Sequence, residues 1–431
     1  MRFSFTVLHR WAGLAIATFL FLAGVTGAVI SWDHALDDWL NPHLMQARTD
    51  GPPKSSLDLV RLVEQRDPRM FVAYFPLSPE PGDTFSVFVL PRVDPATGER
   101  FKVGYNQVFL DPATGEEQGR REWGAVWPVT RENFISFLYR LHYTLHIPTL
   151  WGNDRLGMWL MGAVAIVWTI DCFVGFYLTL PQRRQPNPLR PTIVERQLAR
   201  GWWSRWKPAW KIKTSGSAYR INFDIHRAFG LWTWALLFIL AFTGFSLNLY
   251  RELFLPAMSL VSTVSPNPFT QRQPLPLNQS IEPKIGFAEI ISKAEAEGRA
   301  RGWTAPVGAV SYSDRYGIYQ PRFFSPGDDH GAGGVGPARL YYDGLDGRLL
   351  GDLTPWKGTV ADIFVQAQFP LHSGRILGIP GRILISVMGL VTAALSVTGV
   401  VIWWRKRVAR LGRRDGLRSS RSPAMSVARH S

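Results

Sequence analysis

The sequence predicts a membrane protein with a bundle of four transmembrane helices, which arose by internal duplication, and two α+β domains on the outer side of the membrane. Three observations predict this fold class. Hydrophobic residues make up 46% of the 431 residues and 18 residues are Trp, which is too apolar for an ordinary soluble enzyme. Four long apolar runs could each cross a bilayer. A His-Arg pair opens two of these runs.

The two His-Arg pairs belong to segments that share one register. Seven residues of the first segment recur unchanged, each 217 residues later. The pairs are His9/His226, Arg10/Arg227, Gly13/Gly230, Leu14/Leu231, Phe21/Phe238, Thr26/Thr243 and Gly27/Gly244. Seven identities at one offset indicate an internal duplication whose shared element is a membrane helix with a His-Arg pair at its mouth.

The apolar runs divide the chain into alternating membrane and water-exposed segments. The predicted segments are transmembrane helix 1 at 1–31, an outer domain at 32–135, a His-containing segment with helix 2 at 136–180, a basic Trp-rich linker at 181–224, helix 3 at 225–250, a second outer domain at 251–370, a His-containing segment with helix 4 at 371–404, and a basic tail at 405–431. The first run is longer than the apolar core of a signal peptide and precedes no small-residue cleavage site, so we expect an uncleaved helix. The tail after Arg407 is predicted to be disordered.

The net charge of +15 predicts the orientation. Residues 181–213 and 405–431 each carry +8, and the remainder is nearly neutral. By the positive-inside rule, both basic segments and both termini are cytoplasmic and both outer domains are periplasmic. Basic residues interleaved with Trp can also bind nucleic acid, but their position beside membrane helices favours lipid headgroups. We therefore expect the lipid bilayer, and no nucleic acid, as a partner.

The outer segments show strand and turn patterns. Alternating apolar residues predict strands at 70–75, 84–90 and 105–110, and helical periodicity predicts helices at 56–66 and 285–297. The turn that starts at Asp111 and ends at Gly115 has a counterpart from Asp343 to Gly347. Residues 331–336 match G-x-G-x-x-G, but no helix is expected to follow, so a loop is predicted rather than a dinucleotide site.

Four of the nine histidines precede or open the four membrane helices: His9, His146, His226 and His372. On the predicted topology, His9 and His226 lie near the cytoplasmic face, whereas His146 and His372 lie near the periplasmic face. Each face therefore receives one histidine from each half of the duplication. Two imidazoles from facing helices are the axial ligands of a b-type haem, so two haems b are predicted. Arg10 and Arg227 are placed to pair with haem propionates.

Other interpretations of these residues stay open. A histidine at a membrane boundary can be merely interfacial, and a bare metal such as zinc is possible, although no carboxylate or Cys joins either pair at suitable spacing. His142, one turn before His146, is an alternative ligand. Asp171 lies within helix 2, where it could accept a hydrogen bond from Thr or Trp side chains or relay a proton. The single Cys172 excludes an intrachain disulfide, and the absence of C-x-x-C-H excludes c-type haem.

Several short motifs resemble those of the PepSY-associated transmembrane family. They include Leu8-His9-Arg10, Thr26-Gly27, Trp39-Leu40-Asn41-Pro42, Leu145-His146, His226-Arg227, Leu371-His372 and Thr398-Gly399, and the turns at Asp111 and Asp343 resemble those of PepSY modules. The resemblance implies a bacterial inner-membrane protein with two periplasmic PepSY-like domains. Some members are haem-containing ferric-siderophore reductases that serve iron uptake.

The sequence therefore leads to two functional hypotheses. In the first, a di-haem b oxidoreductase takes electrons from an external donor, a quinol or a cytoplasmic reductase, because the chain has no flavin or nicotinamide domain. Its acceptor is a ferric siderophore or another ferric chelate in the periplasm. In the second, the protein is not an enzyme, and its PepSY modules bind or regulate a peptide, a protease or an uptake partner.

Overall fold

The structure, a computed structural model, describes residues 1–182 and 201–419. Residues 183–200 of the predicted linker and 420–431 of the predicted tail lie outside the described residues. The α-helices in the described ranges are α1 (Arg2–Ile30), α2 (Asp33–Leu40), α3 (Pro42–Met45), α4 (Ser56–Arg66), α5 (Phe134–Thr144), α6 (Leu156–Thr179), α7 (Trp202–Trp206), α8 (Ala218–Trp232), α9 (Trp234–Asn248), α10 (Leu255–Val261), α11 (Pro268–Gln271), α12 (Phe287–Ala300), α13 (Val360–Ser373) and α14 (Gly378–Ser419).

Three helical segments of the described chain are long and apolar enough to cross a membrane: Arg2–Ile30, Leu156–Thr179 and Arg375–Gly412. Apolar side chains on these helices are exposed, for example Ile170, Phe173 and Leu390. A bilayer would cover these side chains, since a soluble protein rarely leaves so much contiguous apolar surface in water.

The third predicted span is broken. Taken together, helices α8 and α9 are also long and apolar enough to cross a membrane, but they meet at an angle of 71°. The break lies at Thr233, whose backbone leaves the helical conformation and whose hydroxyl donates to the carbonyl of Phe229. A hydroxyl that bonds to the preceding turn competes with the helix and bends it. The chain has four spans if this bent pair is one of them.

The last helix is longer than predicted. Helix α14 continues to Ser419, whereas the tail was predicted to be disordered after Arg407. The prediction of disorder is therefore wrong for the described part of the tail. Basic residues are good helix formers, and a helix already nucleated in an apolar run extends into them at little cost.

The water-exposed segments form an antiparallel sheet of eight strands in the order β4-β3-β2-β1-β5-β6-β7-β8. Its strands are β1 (Met70–Pro76), β2 (Phe85–Pro91), β3 (Gln107–Leu110), β4 (Glu117–Arg121), β5 (Val307–Ser313), β6 (Ile318–Phe323), β7 (Ala338–Asp343) and β8 (Leu349–Leu353). Each predicted outer domain contributes one four-stranded meander. The strand order runs outward from β1 in the first half and outward from β5 in the second, as expected from the duplication seen in the sequence.

The two meanders are joined through β1 and β5. These strands pair antiparallel, with Tyr74 opposite Ser311 and Pro76 opposite Ala309, and their residues show the same sequence of buried and half-buried positions. The strands of the two predicted outer domains thus form one continuous sheet. An unpaired edge strand exposes its N–H and C=O groups, and pairing the two meanders removes one edge from each.

Both halves share one apolar core beneath the sheet. Helix α4 packs on β1 and helix α12 on β5, and the core contains Leu59 and Phe75 from the first half with Ile290 and Tyr319 from the second. This core is a reason why the two meanders fold as one body: each half alone would leave part of it exposed to water.

The chain forms two compact units. Of the described residues, the first contains 1–25, 164–182, 201–242 and 387–419, and the second contains 26–163 and 243–386. Each unit brings together one pair of histidines, and the two pairs are described separately below.

Candidate functional site: two pairs of facing imidazoles

The first unit places His9 of α1 opposite His226 of α8. Their ring centroids are 6.2 Å apart, and the ring planes are inclined by 55°. His9 is half-buried, with 33% of its side chain exposed. The two residues expected to meet at the cytoplasmic face therefore do lie side by side.

Each of these imidazoles is held through its Nδ1 atom. Nδ1 of His9 lies 2.9 Å from both carboxylate oxygens of Asp171, and Nδ1 of His226 lies 2.9 Å from the hydroxyl oxygen of Thr398. The Thr398 hydroxyl itself donates to the carbonyl of Ala394, so it accepts from the imidazole. A hydrogen bond at Nδ1 fixes the tautomer and leaves Nε2 as the nitrogen that can coordinate a metal.

The second unit places His142 of α5 opposite His372 of α13. The centroids are 6.1 Å apart and the planes are inclined by 61°. Nδ1 of His142 lies 3.0 Å from the hydroxyl oxygen of Thr26, and Nδ1 of His372 lies 2.9 Å from that of Thr243. Both threonines are almost fully buried. This pair repeats the arrangement of the first.

The partner of His372 is thus His142 rather than His146, which the sequence analysis placed first. Helix α5 ends at Thr144, and the following Leu145 and His146 adopt left-handed backbone conformations. The ring of His146 stacks on Phe137, and its Nε2–H donates to the carbonyl of Phe137 at 2.8 Å. Burial lowers the pKa of His146. The chain beyond α5 therefore turns this imidazole away from the pair.

A glycine of a neighbouring helix packs against the imidazole ring of His142, of His226 and of His9. A Cβ atom on Gly27 would lie 3.0 Å from Cε1 of His142, and one on Gly399 would lie 3.3 Å from Cε1 of His226. Gly175 has the same relation to His9, at 3.4 Å. Each ring therefore lies directly against the backbone of a neighbouring helix, which only a small residue allows.

These polar partners were the residues whose role sequence reasoning missed. Thr26 and Thr243 stood out as identities of the duplication, and Thr26-Gly27 and Thr398-Gly399 as motifs of the family, but none was assigned to a histidine. Asp171 was expected to accept a hydrogen bond from Thr or Trp side chains or to relay a proton. The available signal was the Thr-Gly dipeptide, which recurs at Thr26, Thr243 and Thr398. A hydroxyl followed by a glycine on a membrane helix offers a hydrogen-bond partner and a gap at adjacent positions.

The two halves of the duplication differ at the position of Asp171. Leu395 stands 224 residues after Asp171, the same interval that separates Gly175 from Gly399. The first half therefore has a carboxylate where the second half has an apolar side chain. Asp171 is buried, and a buried carboxylate is retained when a cationic or strongly hydrogen-bonding partner faces it. His9 is that partner.

The donor set fits a haem iron. A metal ion between two imidazole nitrogens, each at about 2 Å, puts the ring centroids roughly 6 Å apart when the rings lie on opposite sides of it. Both observed separations agree. Neither pair has a third imidazole, carboxylate or thiolate grouped with it as a possible metal-ligand cluster in the described part of the chain, so a structural zinc site, which needs four ligands, fits poorly.

The two arginines of the His-Arg pairs differ. Nε of Arg10 is buried and has no hydrogen-bond partner among the described residues, and its guanidinium lies over Trp11. Arg227 donates to the carboxylate of Asp224 and to the carbonyl of Pro208, although its Nε is likewise unpartnered. Arg10 is therefore better placed than Arg227 to donate hydrogen bonds to a carboxylate such as a propionate.

Comparisons with known proteins bear on the family and not on the site. The search of curated proteins gave no match. The family described as PepSY-associated TM region matches residues 6–406, which include both pairs of histidines, the sheet and most of each described helix able to cross a membrane. The chain is therefore a member of the PepSY-associated transmembrane family.

Proposed function

We propose that this protein is a di-haem b oxidoreductase of the bacterial inner membrane, which passes electrons from a quinol or a cytoplasmic reductase to a ferric siderophore or another ferric chelate in the periplasm. The observation that carries the proposal is the repeated pair of facing imidazoles, each held at Nδ1 by a polar residue of a neighbouring helix. The family resemblance supports the ferric acceptor, since some members are ferric-siderophore reductases.

The membrane arrangement belongs to the same proposal. The bent pair α8 and α9 acts as the third of four spans, the two basic segments face the cytoplasm, and the eight-stranded sheet, built from two PepSY-like halves, faces the periplasm. The positive-inside rule supports this orientation. It assigns the His9–His226 pair to the cytoplasmic face and the His142–His372 pair to the periplasmic face.

The chain's own residues have three tasks in this mechanism. His9 and His226 would hold one haem and His142 and His372 the other, and a haem held by two imidazoles supplies one-electron transfer without an open position for oxygen. Asp171 and the three threonines orient the rings before the cofactor binds. Arg10 would neutralise a propionate where water is scarce.

The two pairs are tuned differently by the chain. Asp171 places a negative charge on the Nδ1 side of His9, whereas Nδ1 of each of the other three imidazoles lies beside a threonine hydroxyl. A carboxylate raises the basicity of its imidazole and stabilises the more highly charged ferric iron. A haem held by His9 and His226 would therefore have the lower potential of the two, which would favour electron transfer toward a haem held by His142 and His372.

The decisive test is the visible spectrum of the purified protein. We expect b-type absorption bands and two haems per chain by the pyridine haemochrome assay. His43→Ala is a matched control, because His43 is a half-buried histidine that is bonded to Glu132 and belongs to neither imidazole pair. A colourless wild-type protein would contradict the proposal and favour the second hypothesis, a membrane-anchored module that binds or regulates a periplasmic partner.

A further inference from the structure

A third group of histidines lies outside both pairs. His34 in the first turn of α2 faces a loop between β6 and β7 that carries Asp329 and His330, and one ligand atom from each of these three residues lies within 4.8 Å of the others. The two imidazole centroids are 5.1 Å apart, and Nδ1 of His330 lies 3.3 Å from the carboxylate of Asp329. The three residues come from segments almost 300 positions apart in the sequence.

His34 is oriented as a metal-binding histidine is. Its Nδ1 atom lies 3.1 Å from Oδ1 of Asp33, and Asp33 is in turn ion-paired with Arg375 at 3.3 Å. A carboxylate at one ring nitrogen fixes the tautomer and makes the other nitrogen a stronger ligand. Nε2 of His34 is therefore the ring nitrogen available to a metal, and Asp33 is placed to support it without being a ligand.

The surroundings of the group attract cations. His34 and Asp329 line a cleft of about 420 Å³ whose other charged lining residues are Glu80, Asp83 and Arg322, so acidic side chains outnumber the basic one. Burial raises the pKa of Asp83, and the neighbouring charges of Glu80 and Asp38 raise it further. Carboxylates that raise one another's pKa mark an excess of negative charge, which a bound cation relieves.

We propose that His34, Asp329 and His330 bind a first-row divalent transition-metal ion. Two imidazoles and one carboxylate suit Zn²⁺, Cu²⁺ or Fe²⁺, whereas Ca²⁺ and Mg²⁺ prefer oxygen ligands throughout. Three protein ligands leave at least one coordination position open, so the ion can also bind water or a small chelator in the cleft. This site does not depend on the haem proposal, because none of its residues belongs to either imidazole pair.

The test is a Co²⁺ titration of the full-length, tag-free protein in detergent, followed by the visible bands of bound Co²⁺ and by their loss when Zn²⁺ is added. Wild type is expected to bind one more Co²⁺ than His34→Ala or His330→Ala at the same free concentration. Removing a direct ligand should weaken binding at least about tenfold, since loss of a supporting residue alone costs about 10–100-fold. His43→Ala, which removes a half-buried histidine of the same unit outside this group, should bind as wild type does.

Binding that is unchanged in both His34→Ala and His330→Ala, or weakened equally by His43→Ala, would overturn the proposal. The site is exposed, so we expect all variants to keep the wild-type circular dichroism. Asp329→Asn supplies a further variant that keeps the side-chain shape and should also bind Co²⁺ more weakly. A Cu²⁺ electron paramagnetic resonance spectrum with coupling to two nitrogens in wild type, and to one in His330→Ala, would identify the ligands directly.

Discussion

Replacing Asp171 with Asn tests the proposed asymmetry between the two imidazole pairs. The amide has nearly the shape of the carboxylate and can still accept a hydrogen bond from Nδ1 of His9. The substitution therefore removes the negative charge but keeps the position of the ring. Because the charge stabilises ferric iron more than ferrous iron, its loss should raise the midpoint potential of the His9–His226 haem.

The magnitude follows from the contact. Both carboxylate oxygens lie 2.9 Å from Nδ1, and only 10% of the Asp171 side chain is exposed, so solvent screens the charge weakly. Loss of a hydrogen-bonded support of a metal-binding histidine typically costs about 10–100-fold in affinity. If only the ferric form loses that much affinity, the one-electron midpoint potential of the haem rises by roughly 60–120 mV, at about 59 mV per tenfold change.

The measurement is a potentiometric titration of the purified protein, followed by its visible spectrum. The wild type should give two components, and Asp171→Asn should move the lower one upward while the haem content stays constant. Thr26→Val is the matched control: it removes a neutral partner of His142 and should leave the lower component in place. A potential that is unchanged or lowered in Asp171→Asn would refute the reasoning.

Four further predictions follow from the fold and the site. His9→Ala and His226→Ala should each lower the haem content by about half, because the pairs are separate sites; unchanged content in both variants would exclude the His9–His226 site. In liposomes, His372→Ala should keep a reducible haem but lose reduction of an external ferric chelate, and a wild-type rate would exclude the His142–His372 site as the exit for electrons. Although burial would raise the pKa of Asp111, hydrogen bonds from the Thr49 hydroxyl and from backbone N–H groups lower it to about 2. The free energy of unfolding should therefore fall between about pH 4 and pH 2 as Asp111 is protonated. Acid titrations of the wild type and of Asp111→Asn should show that the variant lacks this part of the pH dependence. A reporter enzyme that is active only in the periplasm should be active when fused at Gly115. Activity of a cytoplasm-only reporter at this position, and not of the periplasmic one, would reverse the proposed topology.

The sequence by itself determined the local elements. Apolar runs long enough for a bilayer gave the membrane helices, and period-two alternation gave strands close to β1, β2 and β3. The turn at Asp111 was also readable, because an Asp followed by a Gly four residues later satisfies the backbone of a tight turn. In the structure the N–H of Gly115 donates to the carbonyl of Asp111, as that of Gly347 does to Asp343. All of these depend on neighbours in the chain.

Only the tertiary structure decided which groups meet. Sequence spacing left His142 and His146 open, and the end of α5 at Thr144 selects His142. The same limit applies to Asp171, whose partner His9 is 162 residues away, and to the pairing of β1 with β5. Likewise, nothing in the sequence brought His34 to Asp329 and His330. The physical reason is that helix and strand periodicity fix the direction of a side chain relative to its own backbone, whereas hydrogen bonds, edge pairing and close packing depend on which distant segment lies opposite.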